Sequence, residues 1–308
     1  MFIGYYNNNG ITTVEIFCKS GGTLNFSDAA KSLYVTQSTL SQQIKQLEQE
    51  LNAQLFQRNS HSVSLTEVGE ELLPYALRAI HDVDLCLDRV HDLQQLLTGT
   101  LNIGVTYTFS PILSETLMVF MKRYPHVRLN IYYKSMEELL ELLSNRTVDF
   151  VLAFRSSTTY ENIESHILFD NHLAAIVNNN HPLAAQSKIT WNELEKYDIA
   201  LPSRGLQARN AFEKAQAKLP IKINVRIELN EVNILLKLIR QSMLVTILSE
   251  ATIHNEEGVK AIPLDFPGNE MHGCVHILRN TYCKHSMQEF IRLLREANAV
   301  KERIHDWL

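Results

Sequence analysis

The stretch Phe26-Ser27-Asp28-Ala29-Ala30-Lys31-Ser32-Leu33-Tyr34-Val35-Thr36-Gln37 contains two helix starts separated by a short turn. Ser27 is a good N-cap for a first, short helix, and Asp28 then falls in its first turn, where a carboxylate meets the positive end of the helix dipole. Thr36 can cap the next helix. A turn of three or so residues between the two is the spacing of a helix-turn-helix.

Outward from this stretch, Leu40, Ile44, Leu47 and Leu51 recur on one face of the second helix and make an apolar stripe for packing. Ser38, Ser41, Gln42 and Lys45 occupy another face. Polar, mostly uncharged side chains of this kind can exchange hydrogen bonds with base edges and phosphates in a major groove, whereas a merely solvated helix more often shows Glu and Lys there. Residues 54–58 then lead through a polar turn to 63–66, an alternation expected for a two-stranded wing, and Thr66 caps a long helix. Along that helix Ala76, Val83, Val90 and Leu97 fall seven apart, with Leu72, Ala79, Cys86 and Leu93 between them. This heptad pattern predicts a dimerising helix, bent near Pro74 and ended by Thr98-Gly99.

The net charge of −5 over 308 residues gives no support to nucleic-acid binding, but its distribution does not oppose it. Residues 1–64 balance Lys19, Lys31, Lys45 and Arg58 against four acidic side chains. The acidic excess falls on the long helix, away from the reading head. The four cysteines form no CxxC pair, which argues against a disulfide framework or a zinc ribbon. The opening residues are polar and Asn-rich and there is no apolar run of membrane-spanning length, so a cytoplasmic protein without membrane contact is expected.

Beyond residue 98 short apolar runs alternate with helical stretches, the order expected for βαβ units around a mainly parallel sheet. Strands are expected at 101–105, 127–133, 148–154, 173–177, 199–201, 225–229 and 245–248. Helices are expected at 111–123, 136–143, 209–218 and 232–241. The fold class is therefore α/β, with three parts: a winged helix-turn-helix over 1–64, a linker helix over 65–98, and a domain over 99–308 built from two lobes. One lobe comprises about 99–168 and 273–308, the other about 169–272.

The run Ala29-Ala30-xx-Leu33-x-Val35-Thr36-Gln37-xxx-Ser41-xx-Ile44-xx-Leu47-Glu48-xx-Leu51-xxxx-Leu55-Phe56-x-Arg58, followed by Leu65-Thr66-xx-Gly69, resembles the LysR-type transcriptional regulators. The likeness continues through Gly99-x-Leu101-x-Ile103-Gly104, Tyr124-Pro125-x-Val127, Val148-Asp149 and His181-Pro182-Leu183. It implies a winged helix-turn-helix, a dimerising linker and a periplasmic-binding-protein-like effector domain. A homodimer or homotetramer on a partly palindromic DNA operator, RNA polymerase as a further partner, and control by a small-molecule effector are implied with it. Ser38 and Gln42 depart from the family pattern, where proline and a basic residue are common, and should alter base preference. The stretch 242–249 lacks the glycines and closing proline usual near the end of the second lobe, so the rim of the effector cleft should be unusual.

The expected DNA-binding residues are Thr36, Gln37, Ser38, Ser41, Gln42, Lys45 and Arg58. Thr36 could be only a helix cap. Arg58 is placed by the resemblance at the backbone or minor groove beside the wing, with an ion pair to Glu48 or Glu50 as the alternative. The expected effector-binding residues are Thr106, Thr108, Ser203, Arg204 and Thr246, on loops where strand ends meet helix N-termini; hydroxyls, a guanidinium and helix ends together favour a small anion. Each hydroxyl could instead serve only as a cap, and Phe154-Arg155 could add a wall and a charge.

His272, Cys274, His276, Cys283 and His285 are the densest set of potential metal ligands, but their spacing matches no familiar zinc site. No HExxH, GxSxG or paired-carboxylate motif is present, so no enzyme, cofactor or metal is expected. A cysteine- or metal-responsive regulator of the same fold and a solute-binding protein are the alternative functions.

Overall fold

The computed structural model describes residues 13–58, 62–93, 98–155, 160–217, 223–254, 256–266, 269–298 and 300, without the side chains of Arg58, Leu87 and 91–93. Two compact units emerge, residues 1–90 with 145–147 and residues 91–144 with 148–308.

The first unit opens with α1 (Thr13–Thr23), α2 (Phe26–Ser32) and α3 (Gln37–Leu51). Ile16, Phe17, Phe26, Leu40, Ile44, Leu55 and Phe56 make its core. The rings of Phe17 and Phe26 meet Phe56 edge-on at 5.8 and 5.1 Å.

Burial of Phe26 corrects one expectation. The N-cap of α2 is Asn25, not Ser27: the Asn25 carboxamide oxygen accepts from the N–H groups of Ser27 and Asp28 at 3.0 and 3.2 Å. Both residue types suit a cap, and starting the helix at Phe26 puts that ring into the core. Thr36 does cap α3, accepting from Thr39 N–H at 3.2 Å.

The strands β1 (Phe56–Arg58) and β2 (Val63–Leu65) pair antiparallel as the wing, with Phe56 opposite Leu65 and Arg58 opposite Val63. Thr66 accepts from Gly69 N–H at 3.1 Å and caps α4 (Glu67–Leu93), which runs through Pro74. At Gly69 the helix backbone lies so close to Leu55 that an added Cβ would sit 2.2 Å from its carbonyl oxygen. Only glycine allows that approach.

The second unit holds β3 (Gly99–Val105), α5 (Ser110–Arg123), β4 (Val127–Tyr133), α6 (Met136–Ser144), β5 (Phe150–Phe154), β6 (Ile163–Asn178), α7 (Trp191–Leu194) and β7 (Ile199–Pro202). It continues through α8 (Gln207–Gln216), β8 (Val225–Leu229), α9 (Val232–Arg240), β9 (Thr246–Ser249), β10 (Val259–Pro263), β11 (Glu270–Leu278) and α10 (His285–Glu296). The expected helix end at Thr98-Gly99 adjoins 94–97, which lie outside the described residues; α4 is described to Leu93, and Gly99 opens β3.

The sheet is mixed, not mainly parallel. Its order is β10-β6-β11-β5-β3-β4, with β9 also on β6. Among the described strands, parallel ladders join β3 to β4 and β5 and β7 to β8, with single parallel bridges at Ile189–Leu264 and Ile199–Val245. The 16-residue β6 runs antiparallel to β11 along its first part and to β9 and β10 along its second, joining the two lobes. Its first part carries Glu164, Ser165, His166, Asp170 and Asn171, a composition that hides a strand. Helix α10 closes the first lobe, with Phe290 on Phe120 and Phe150 at 5.0 and 5.7 Å.

Candidate DNA-reading head and effector cleft

Helix α3 turns Leu40, Ile44 and Leu47 inward and leaves Thr36, Gln37, Ser38, Gln42 and Lys45 exposed, with Ser41 half-buried. Six of the seven expected DNA-binding residues therefore share one helix start and one face. The hydroxyl of Thr36 meets those of Ser38 and Thr39 at 2.8 and 2.9 Å, so it is both a cap and a member of an exposed hydroxyl cluster. The Gln37 carboxamide accepts from the Ser27 hydroxyl at 3.1 Å, which fixes its orientation. Lys45 has no ion-pair partner among the described residues.

The backbone of Arg58 is in β1, but its side chain lies outside the described residues. Glu48, one of the two alternative ion-pair partners, is engaged with the backbone. This carboxylate is buried and accepts from the N–H groups of Leu55 and Phe56 at 2.8 and 3.1 Å.

In the second unit a cleft lies where several helices begin. Thr106, Tyr107 and Thr108, just ahead of α5, form one wall with Ser135 and Met136 at the start of α6. Pro202, Gly205, Leu206 and Gln207 bring the start of α8 to the other wall, and Thr252 closes one side. Among the described residues no side chain caps the N-terminus of α8, so its first-turn N–H groups and positive dipole end can take an acceptor. The start of α9 is different, because Glu231 accepts from Asn233 and Ile234 N–H at 3.1 and 2.9 Å.

Burial, helped by Glu231, Tyr133 and Glu256, pushes the Tyr107 phenol up to about 12, so it remains a hydrogen-bond donor at neutral pH. The Thr252 hydroxyl is buried with no partner among the described residues.

The cleft is shut. It encloses about 30 Å³, against the roughly 300–1,000 Å³ of ordinary small-molecule sites. Gln207 holds it so: its carboxamide accepts from Phe154 N–H and donates to Phe154 C=O, both at 3.0 Å, and thereby ties α8 to the end of β5.

Two family models match the chain. One, described as the LysR substrate binding domain, covers residues 94–299, and the other, a bacterial regulatory helix-turn-helix protein of the lysR family, covers 11–70. The chain belongs to the LysR family. As a LysR-type protein it is a DNA-binding transcriptional regulator with an effector-binding domain.

Among curated LysR relatives, the transcriptional dual regulator GltC of Bacillus subtilis is 30% identical over 75% of this chain and 78% of its own length. A full-length OxyR variant from Pseudomonas aeruginosa superposes with a TM-score of 0.69 at 19% identity, covering 94% of this chain and 95% of that one. CbnR in complex with its target DNA gives 0.65 at 17% identity over 92% and 98%. At such identities the structural likeness establishes the fold.

Within this LysR-type effector domain only Thr106 and Thr108 of the expected effector residues line the cleft. The Thr106 hydroxyl is occupied, donating to Leu152 C=O at 3.3 Å. Ser203 extends the β7-β8 pairing, donating its N–H to Leu229 C=O at 2.7 Å, while exposed Arg204 turns to Glu213 at 3.3 Å. Thr246 is fully buried in β9 opposite Ile176, off the cleft wall. The groups that sequence reasoning missed are Gln207 and Thr252; a glycine at 205 just ahead of Gln207 was the available sign of a helix start there.

Phe154 is buried and contributes backbone rather than a wall, and Arg155 is exposed. The His/Cys set is not assembled for a metal. His272 pairs with Asp170 at 2.5 Å and His276 with Ser165 at 2.8 Å, and no cluster of three or more potential ligands occurs among the described residues. Burial pushes the Cys274 thiol up to about 11, opposite to the shift a reactive thiolate needs. No helix among the described residues is long and apolar enough to cross a membrane.

Proposed function

We propose that Thr36, Gln37, Ser38, Ser41, Gln42 and Lys45 meet the operator, and that the effector is a small organic anion whose carboxylate takes the first-turn N–H groups of α8. The uncapped α8 N-terminus on the cleft wall carries the effector reading, because unsatisfied N–H groups beside the Tyr107 phenol and the Thr108 and Thr252 hydroxyls suit an acceptor with negative charge. The protein acts by binding alone. It works in the cytoplasm as a homodimer or homotetramer joined through α4, where Val90 and Cys86 are exposed on the heptad seam, and it contacts RNA polymerase at its promoters.

The effector half is tested by thermal shift of the full-length chain against a panel of small carboxylic acids. A ligand at 100 times its dissociation constant stabilises by about 2.7 kcal/mol. At least one acid is expected to raise the melting temperature, Thr108→Ala and Thr252→Ala to abolish the shift, and Ser203→Ala to retain it. Gln207→Ala should strengthen the response, since no internal pair then has to be broken. Shifts from neutral amides or esters with none from the acids would overturn the anion assignment.

For the DNA half, the probe is the duplex that the protein itself enriches from a random-sequence pool. Lys45→Ala should weaken binding to every sequence and lower the salt slope by about one, whereas Gln37→Ala should relax base preference with the slope intact. Parent-like binding by both variants would remove α3 from the reading face.

A further inference from the structure

One residue of the reading head is chosen against the interest of the fold. Tyr34, the first residue past the α2 C-cap Leu33, has φ of 55°, a left-handed conformation that disfavours every side chain with a Cβ and a bulky ring above most. The turn demands that conformation: Tyr34 N–H reaches back to Lys31 C=O at 3.2 Å and Val35 N–H to Ala30 C=O at 3.0 Å, closing α2 as a Schellman-type end where glycine is the usual residue.

Packing does not compensate. Tyr34 is 93% exposed, the most exposed large apolar or aromatic side chain among the described residues, and its ring and hydroxyl have no partner there. Leu24, the other large apolar residue in the same conformation among the described residues, is 45% exposed and so recovers some burial. The neutral aromatic at position 34 contributes nothing to the unit that pays for it, and strain of this type collects at functional positions.

Position 34 stands two residues ahead of the Thr36 cap, at the end of α3 that presents Gln37 and Ser38. If α3 lies in a major groove, an exposed tyrosine at that end of the helix would be within reach of the phosphodiester oxygens flanking the groove. We propose that Tyr34 is a DNA-contact residue, its phenolic hydroxyl donating to a backbone phosphate beside the bases that α3 reads. This inference rests on the DNA-reading face proposed above. The contact is neutral, so it positions the helix without releasing a counterion.

The test sets Tyr34→Gly and Tyr34→Phe against the parent as full-length proteins, on the duplex the parent enriches from a random pool. Tyr34→Gly is expected to raise the melting temperature by about 2 °C or more, as relief of the left-handed strain requires. The same variant should lose about tenfold in affinity with an unchanged salt slope. Tyr34→Phe should keep the parent's melting temperature and lose most of that affinity, which assigns the loss to the hydroxyl.

Parent-like DNA affinity in Tyr34→Gly would overturn the inference while leaving the DNA-reading face intact, because Lys45→Ala and Gln37→Ala report on that face separately. Parent-like affinity in Tyr34→Phe alone would overturn the phosphate hydrogen bond. A parent that enriches no duplex would sink both readings together.

Discussion

Lys284→Ala is expected to destabilise the effector-binding unit by about 3–5 kcal/mol, a loss of the order of 10 °C in its melting temperature. The Lys284 ammonium lies 3.0 Å from the Asp149 carboxylate, and the two side chains are only 6% and 4% exposed. Both ends of the pair also hold the backbone of β3. Lys284 donates to Thr100 C=O at 3.1 Å, and Asp149 accepts from Asn102 N–H at 2.7 Å. The pair thus ties the residue before α10 to β3 and to the entry of β5.

Truncating the lysine leaves a carboxylate in an interior that water does not reach, and that uncompensated charge is the source of the penalty. The pair itself is worth less than its loss costs, since its attraction is largely offset by the desolvation of two ions. A Lys284→Met/Asp149→Leu double variant should therefore be more stable than either single variant. Chemical denaturation of the two single variants, the double variant and Lys284→Ala checks this; additive losses in the double variant, or a Lys284→Ala loss below about 1 kcal/mol, would contradict the account.

The parts of the fold that local chemistry dictates were legible in the sequence. Thr36 caps α3 because a hydroxyl precedes an apolar-periodic run, and β4 and β8 span the expected residues. What escaped depends on partners far along the chain. The first part of β6 is a strand because β11 binds it, although residues such as Glu164 and Asp170 show no apolar alternation.

Sequence reasoning places the helix start after β7 one loop too early for a similar reason. A strand end followed by Ser203 and Arg204 looks like an anion site, but the β7-β8 pairing continues through the Ser203 N–H, and α8 starts only at Gln207. Gln207 escapes notice because it serves Phe154, remote in sequence, and Glu48 because it serves the backbone of the chain leaving its own helix; no motif records either. On the reading head Gln37 and Lys45 lie on the expected face, whereas Tyr34 is conspicuous only once its φ and exposure are known.

Glu48→Ala is expected to cost the DNA-binding unit about 2–4 kcal/mol, because one buried carboxylate oxygen serves two backbone donors and each orphaned donor costs about 1–3 kcal/mol. These donors, Leu55 and Phe56 N–H, lie where the chain leaves α3 for the wing. Phe56 carries both edge-on ring contacts of the core, so loosening its backbone loosens the packing of α1 and α2 as well. Glu48 faces away from the exposed Gln37 and Lys45 side of α3, so its removal should act on DNA binding through the fold. Denaturation of the full-length variant should show the N-terminal unit melting ahead of the effector unit, with DNA affinity falling in step. Glu48→Gln keeps a carbonyl oxygen able to accept both bonds and should recover most of the loss. Two variants equally impaired in DNA binding yet as stable as the parent would mean that the charge of Glu48, not its hydrogen bonds to the wing, is what the reading head requires.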